Sequence, residues 1–356
     1  MNKKIGFLIL LISIINPIIL LGINYSLNNM NIENTENTKD NNSIVPIEIK
    51  APDPKTNLTI GTSTILADFA SQIIFGKGEK VESIMPGGTC PSHFDPKPSD
   101  VAKVSEADIV FSHSPFVESW LDDLLISAGN TGAKRVIGGM VGGIEWAPPE
   151  NAILYVNAIT SVLNQTFNQT ENVSKFNTNR ATFINNINGN KTSLEGIASN
   201  NGFTGIKVIC RNWMQPFLTW LGFDVVVNWT QDEGMSPNDM NTLISIAKAN
   251  SVSLIISNLQ SGTDVGAQIA AQSNAIHVIC NNFPGGVPDT PTYIDMITYN
   301  VYQLIYGKQL YDLYQTLLGG IIQERDFYQI LSYLFIGISI IAIIIVVFQF
   351  VRIKKQ

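Results

Sequence analysis

From Ile330 to Val351 the chain runs for 22 residues without one charged side chain, and that run limits what this end of the protein can be. A helix of that length, rising about 1.5 Å per residue, covers the roughly 30 Å of a bilayer's hydrocarbon core with its internal amides bonded. Arg352, Lys354 and Lys355 follow it. Ile and Val on every face ahead of a basic tip predict a transmembrane helix, not a buried core helix. At the other end, 19 residues from Ile5 to Ile23 follow Lys3 and Lys4 and are interrupted mainly by Asn16 and Pro17. They read as a signal peptide or membrane anchor. The run outlasts an ordinary signal core, and no small-x-small cleavage site or lipid-accepting cysteine comes after it, so an uncleaved anchor is favoured. The positive-inside rule places both tips in the cytoplasm and the body outside it, at the cell membrane.

These ends account for part of an unusual composition: 14% charged residues and 45% in the AVILMFWYC group. Five of the 22 Lys and Arg lie in the two ends, which leaves 17 against 29 acids, a net charge of −12, for the rest. An acidic body with no basic tract excludes nucleic acid as a partner, since phosphate binding needs clustered Lys and Arg. Three cysteines, Cys90, Cys210 and Cys280, are too few and too far apart for a disulfide-built fold, though one pair plus a free thiol is compatible with the count. Sequons such as Asn57, Asn164 and Asn228 suit an exported surface. No Walker motif, Gly-x-Gly-x-x-Gly, nucleophile elbow or His-Glu-x-x-His occurs, and no enzyme activity is expected.

Between the ends, residues 25–55 are polar, Asn-rich and broken by prolines, and read as a flexible tether. Strand and helix patterns then alternate. Leu58–Thr62 reads as strand, Leu66, Phe69 and Ile73 mark a helix face, Val81–Ile84 and Ala107–His113 read as strands, and Val117–Ala128 as helix. Pro86 to Asp100 holds too many Gly and Pro for regular structure and forms a shaped loop opening into a helix at Ser99 or Asp100. After a mostly helical stretch from Pro149 to Ser199 the alternation restarts, with strands at Lys207–Cys210, Asp224–Asn228, Leu254–Ser257 and His277–Cys280. The expected fold class is α/β: two similar lobes with parallel sheets, 56–148 and 201–328, joined by linking helices at 149–200. An anchor at 1–24 and a transmembrane helix with a basic cytoplasmic tail at 329–356 flank them.

The stretch GGTCPSHFDPKPSDVAKVSEADIVFSHSPFVESWLDDLL resembles the metal loop of the substrate-binding proteins that deliver zinc or manganese to ABC importers. EWAPPENAILYVNAITSVL is similar to that family's entry into its linking helix, KVICRNWMQPFLTWLGF to a strand followed by a binding residue, and ICNNFPGGVPDTPTYIDMITYNVYQLI to its terminal loop and helix. The resemblance covers roughly Leu58 to Tyr306 and implies an extracytoplasmic binder that captures an ion between its lobes and passes it to an ABC permease with its ATPase. It also implies zinc, manganese or another transition metal as transported substrate. Of the four usual metal positions only His93 carries over. Ile144 stands at the second, Arg211 or Asn212 at the third, and Asn281 or Asn282 near the fourth.

A closed zinc site needs about four N, O or S donors, which Ile144 and Arg211 do not supply. Cys90, Cys210 and Cys280 flank the same places, so the expected metal set is His93, Cys90, Cys210 and Cys280, with softer ions in range. Substrate contacts are expected from His113, Glu145, Arg211 and Asn281. Arg211 would either grip an anionic group or pair with an acid such as Asp100 or Glu145, whereas His277 reads as a core imidazole. The rival to metal capture is a membrane-tethered degenerate binder of a non-metal small solute, or a structural or interaction protein that kept only the scaffold.

Overall fold

The computed structural model describes residues 58–76, 80–230 and 232–353, with side chains of the last helix followed to residue 340. The first apolar run Ile5 to Ile23 and the tether at 25–55 lie outside the described residues.

The first lobe alternates strand and helix as its periodicity predicts: β1 (Leu58–Gly61), α1 (Thr64–Ile74), β2 (Lys80–Ser83), α2 (Pro98–Glu106), β3 (Ile109–Ser112), α3 (Leu121–Ser127), β4 (Lys134–Val136) and α4 (Ile137–Met140). Two long helices follow, α5 (Pro149–Thr166) and α6 (Thr170–Asn200). The second lobe then runs β5 (Lys207–Arg211), α7 (Gln215–Trp220), β6 (Asp224–Trp229), α8 (Pro237–Ala249), β7 (Leu254–Asn258), α9 (Asp264–Ser273) and β8 (Ile276–Cys280), and ends in α10 (Tyr293–Ile353). All pairings are parallel, in the orders β2-β1-β3-β4 and β6-β5-β7-β8. The two sheets therefore repeat one topology. In each, strand order reverses beside the first strand, and the crevice at the strands' carboxyl ends is the place where such sheets bind ligands.

The strands β1, β3 and β7 are buried throughout, as both-face burial by helices requires. The main core is continuous: Phe69 and Phe111 of the first lobe, Tyr155, Phe183 and Leu194 of the linking helices, and Phe217, Ile256 and Tyr293 of the second lobe belong to one buried cluster. Smaller clusters cover the outer faces of the two sheets. Hydrogen bonds reinforce this join. Thr64 Oγ1 donates to the Pro284 carbonyl at 2.8 Å, the Tyr293 N–H to Asp68 Oδ2 at 2.7 Å, and Tyr293 OH to the Ala147 carbonyl at 3.0 Å. Gly87 and Gly286 meet across the lobes so closely that a Cβ on Gly87 would lie 2.3 Å from the Pro284 carbonyl oxygen.

Two features depart from the sequence reading. The short strand β4 was not expected, and the Tyr-rich helix that the pattern from Tyr293 to Gly307 predicts does not end at that glycine but continues as one element of 61 residues to Ile353. Among the described residues no helix is long and apolar enough to cross a membrane. The side chains of the later half of Ile330–Val351 lie beyond those described. Up to residue 340 that segment leaves Ile330, Tyr333, Phe335, Ile336 and Ile338 exposed, without a described partner surface.

Candidate functional site

A pocket of about 150 Å³ opens between the lobes at the carboxyl ends of the strands. Its first-lobe wall is Cys90, Pro91, Ser92, Val117, Glu145 and Trp146, and its second-lobe wall includes Trp213, Asn258, Gln260 and Phe283. A larger groove of about 360 Å³ lies along β6 and α8 on the outer edge of the second lobe, away from the crevice.

The loop carrying Cys90 is held at both ends. Gln260 Nε2 donates to the Gly87 carbonyl at 2.7 Å, and Trp120 Nε1 to the Pro91 carbonyl at 2.9 Å. Phe94 packs edge-on to Trp120, and the Asp100 carboxylate accepts the Lys97 N–H at 2.8 Å where Pro98 starts α2. The backbone beside Glu145 is pinned in the same way: Tyr155 OH donates to the Ile144 carbonyl at 2.9 Å, Asn151 Nδ2 to the Glu145 carbonyl at 2.7 Å, and Trp146 Nε1 to the Asn282 carbonyl at 3.0 Å. The Glu145 carboxylate itself has no hydrogen bond or ion pair among the described residues, and burial raises its pKa to about 7.

Behind this wall His113 is buried. Its Nε2 shares a hydrogen bond with Ser63 Oγ at 2.7 Å, and its ring centroid lies 4.5 Å from that of Trp146. Burial lowers its pKa to about 3, so the imidazole stays neutral. Glu118 accepts the His113 N–H at 2.7 Å and a hydrogen bond from Thr62 Oγ1, while its own burial lifts its pKa to about 7. His113 is thus a neighbour of the pocket's Trp146 wall and does not line the pocket.

On the second lobe Arg211 is only 1% exposed. It pairs with neither Asp100 nor Glu145. Its Nη1 lies 3.1 Å from Asp232 Oδ1, its Nη2 donates to the Ser261 carbonyl, and its guanidinium sits 4.9 Å from the Trp213 ring and 5.7 Å from that of Trp229. That arrangement neutralises the cation locally and replaces the two pairings expected from sequence. Asn281 is equally engaged. Its N–H donates to Asn300 Oδ1 at 2.7 Å, its carbonyl accepts from Asn300 Nδ2 at 2.7 Å, and its Oδ1 accepts from Gln260 Nε2 at 2.6 Å.

The four residues expected to form a metal set are not brought together. Among the described residues no group of three His, Cys, Asp or Glu is placed to hold a metal ion. His93 is exposed at the end of a 3-10 turn, outside the pocket lining, and Cys210 and Cys280 lie in the core on β5 and β8. Burial pushes both thiols up, that of Cys280 to about 12, and holds them protonated, the opposite of what a thiolate ligand needs. All three cysteines are free thiols. His277 shares a hydrogen bond with Ser257 Oγ at 3.0 Å, as a satisfied structural imidazole does. Sequence reasoning missed Asp232, Glu118, Asn258 and Gln260. The last two had a usable signal, as polar residues closing the apolar strand pattern LIISNLQ.

The family described as "ZnuA: Zinc-uptake complex component A periplasmic" matches residues 60–307, well over half of the chain. The iron-binding protein YfeA of Yersinia pestis is 22% identical over 268 residues, 70% of this chain and 85% of that protein. The manganese ABC transporter substrate-binding lipoprotein PsaA of Streptococcus mitis is 35% identical over 81 residues, 21% of this chain and 25% of its own. Among solved structures, a periplasmic metal binding protein from Candidatus Liberibacter asiaticus superposes with a TM-score of 0.61 at 15% identity, covering 70% of this chain and 99% of that one. A zinc-bound ZnuA deletion mutant gives 0.57 at 18% identity, with 70% and 97% coverage. At these identities the structural likenesses speak to the fold alone.

Proposed function

Because this chain belongs to the periplasmic zinc-uptake component A family, a family of substrate-binding transport components and not of enzymes, we propose that its interlobe pocket captures a cationic cargo for an ABC permease and its ATPase. The body works outside the cytoplasm, and Ile5 to Ile23 and Ile330 to Val351 tether it to membrane lipid, with the tail from Arg352 in the cytoplasm. The observation that carries the reading is the Glu145 carboxylate, left without a partner on a pinned backbone at the strand ends, where the fold binds ligands.

A metal ion as cargo would take Cys90 and Glu145 as its charged donors, with Ser92 and the Asn282 side chain as neutral oxygen donors from the same pocket. Full-length protein purified without chelator or affinity metal, then titrated competitively with Zn(II), Mn(II), Cu(I) and Ni(II), tests this. One equivalent of ion bound by the wild type and lost in the Cys90→Ser, Glu145→Gln double variant is the result that a metal cargo requires. No bound ion, or binding that survives the double variant, overturns it. The second reading, a non-metal solute, is favoured by the lack of a three-donor group among the described residues and by the pocket's aromatic walls.

A further inference from the structure

The pocket's polar inventory is lopsided. Trp213 Nε1 donates to Asn258 Oδ1 at 2.7 Å, Asn258 Nδ2 to Ser261 Oγ at 3.2 Å, Gln260 Nε2 to Gly87 and Asn281, and Trp146 Nε1 to Asn282. The strongest donors around the pocket are therefore already used, and no Lys, Arg or His is among its lining residues. An anionic ligand would meet an unpaired carboxylate and few free N–H groups. What remains for a ligand is the Glu145 carboxylate as the one acid, the neutral Cys90, Ser92 and Asn282 side chains, and the aromatic surface of Trp146, Phe283 and the part of Trp213 not covered by Arg211; Trp146 and Phe283 stack with centroids 5.4 Å apart at 26°.

Such a site complements a cation that also has apolar surface. A ring face attracts positive charge through its quadrupole, more strongly when water is excluded, and a carboxylate supplies the counter-charge. The volume of about 150 Å³ is an order of magnitude above the ~10–15 Å³ that a single water requires. A bare metal ion would leave most of it unfilled, and with fewer than three grouped acid, thiol or imidazole donors it would keep much of its water. Burial also makes the ionised Glu145 costly in the empty pocket, a cost that a bound positive charge offsets.

We propose that the interlobe pocket binds a small organic monocation of the alkylammonium class, with Glu145 as counter-ion and Trp146, Trp213 and Phe283 as the aromatic enclosure. The proposal rests on the reading of this cleft as the capture site and names the cargo's chemistry.

The test uses the full chain in detergent, stripped of metal, and follows intrinsic tryptophan fluorescence and titration calorimetry with tetramethylammonium chloride. Zn(II) and Mn(II) chlorides are titrated in parallel, with sodium chloride as ionic-strength control. Saturable binding of tetramethylammonium, weakened roughly tenfold or more by Glu145→Gln and largely retained by the charge-preserving Glu145→Asp, is the expected result. A thermal melt for Glu145→Gln no lower than that of the wild type separates lost binding from lost folding. If Zn(II) or Mn(II) binds in a Glu145-dependent way and tetramethylammonium does not, the organic-cation proposal is overturned and the capture-site reading stands. If no cation binds, or binding is indifferent to both Glu145 variants, both fall.

Discussion

The two lobes share one strand order and face the same crevice, but they bring different chemistry to it. On the second lobe most side chains at the strand ends are engaged with one another: Arg211 with Asp232 and Ser261, Asn258 with Trp213, Gln260 with Gly87 and Asn281, Asn281 with Asn300, while Arg211 Nε and Asn212 Oδ1 stay buried without a hydrogen bond. On the first lobe the backbone is equally pinned, yet the Cys90 thiol and the Glu145 carboxylate face the pocket with no described partner. One half serves as a locked floor, and the other presents the groups that meet a ligand. The shared strand order supplies two equivalent crevice walls, and their side chains give them different work.

The largest effect should come from breaking the floor. Arg211→Ala removes a buried cation and leaves Asp232 and two tryptophan faces without it, and should lower unfolding free energy by about 3–5 kcal/mol in urea titrations. A loss below about 1 kcal/mol would mean that the guanidinium is not the keystone of that wall. Next, Gly87→Ala sets a methyl 2.3 Å from the Pro284 carbonyl oxygen and 2.7 Å from the Gly286 nitrogen. Forced separation there should cost about 1–3 kcal/mol and be visible as a lower melting temperature. Gln260→Ala strips the Gly87 carbonyl and Asn281 Oδ1 of a donor and should cost about 1–2 kcal/mol, unless water enters to replace it.

A stability effect of opposite sign belongs to the first lobe. Glu145 has a folded pKa raised from 4.5 to about 7, so the folded state holds a proton that the unfolded state has released. Its presence costs nothing below pH 4.5, costs progressively more up to about pH 7, and costs a constant amount above that. Glu145→Gln should therefore be close to neutral at pH 4 and stabilising at pH 8, as read from chemical denaturation at the two values. Equal effects at both would show that the carboxylate is not strained by its burial. A variant that stabilises the fold while weakening cation binding would identify Glu145 as a residue kept for ligand and not for architecture.

Much of the fold could be read along the chain because its signals are local. Leu66, Phe69 and Ile73 fall on one face of α1, and the apolar runs at Lys207–Cys210 and Leu254–Ser257 match strands buried on both sides. Lys134–Val136 escaped notice because three residues have no period to display, and only pairing with Val110, Phe111 and Ser112 makes them a strand. The continuous α10 was hidden for another reason: Gly307 reads as the end of a helix begun at Tyr293. At Gly307 a Cβ would come 2.4 Å from Val278 Cγ2, so that glycine serves close helix–strand packing within an unbroken helix.

The site was less legible. Cys90 and Glu145, 55 positions apart, belong to one pocket because β2 and α4 both lead to the same crevice, a fact no spacing rule contains. Cys210 and Cys280 had the same standing as Cys90 in the one-dimensional pattern, flanking equivalent strand ends. In the folded chain their side chains turn into the core while that of Cys90 lines the pocket, a distinction set by which face of the sheet or loop each occupies. Arg211's choice of Asp232 over Asp100 or Glu145 follows from the same logic, since a buried guanidinium takes the acid that the neighbouring strand's end places within reach. Period, capping and turn chemistry act over a few residues and settled the α/β alternation, the twin lobes and the apolar ends. Charge pairing and exposure depend on long-range packing, so only the three-dimensional arrangement decided that the crevice offers one free acid among aromatic rings instead of four metal donors.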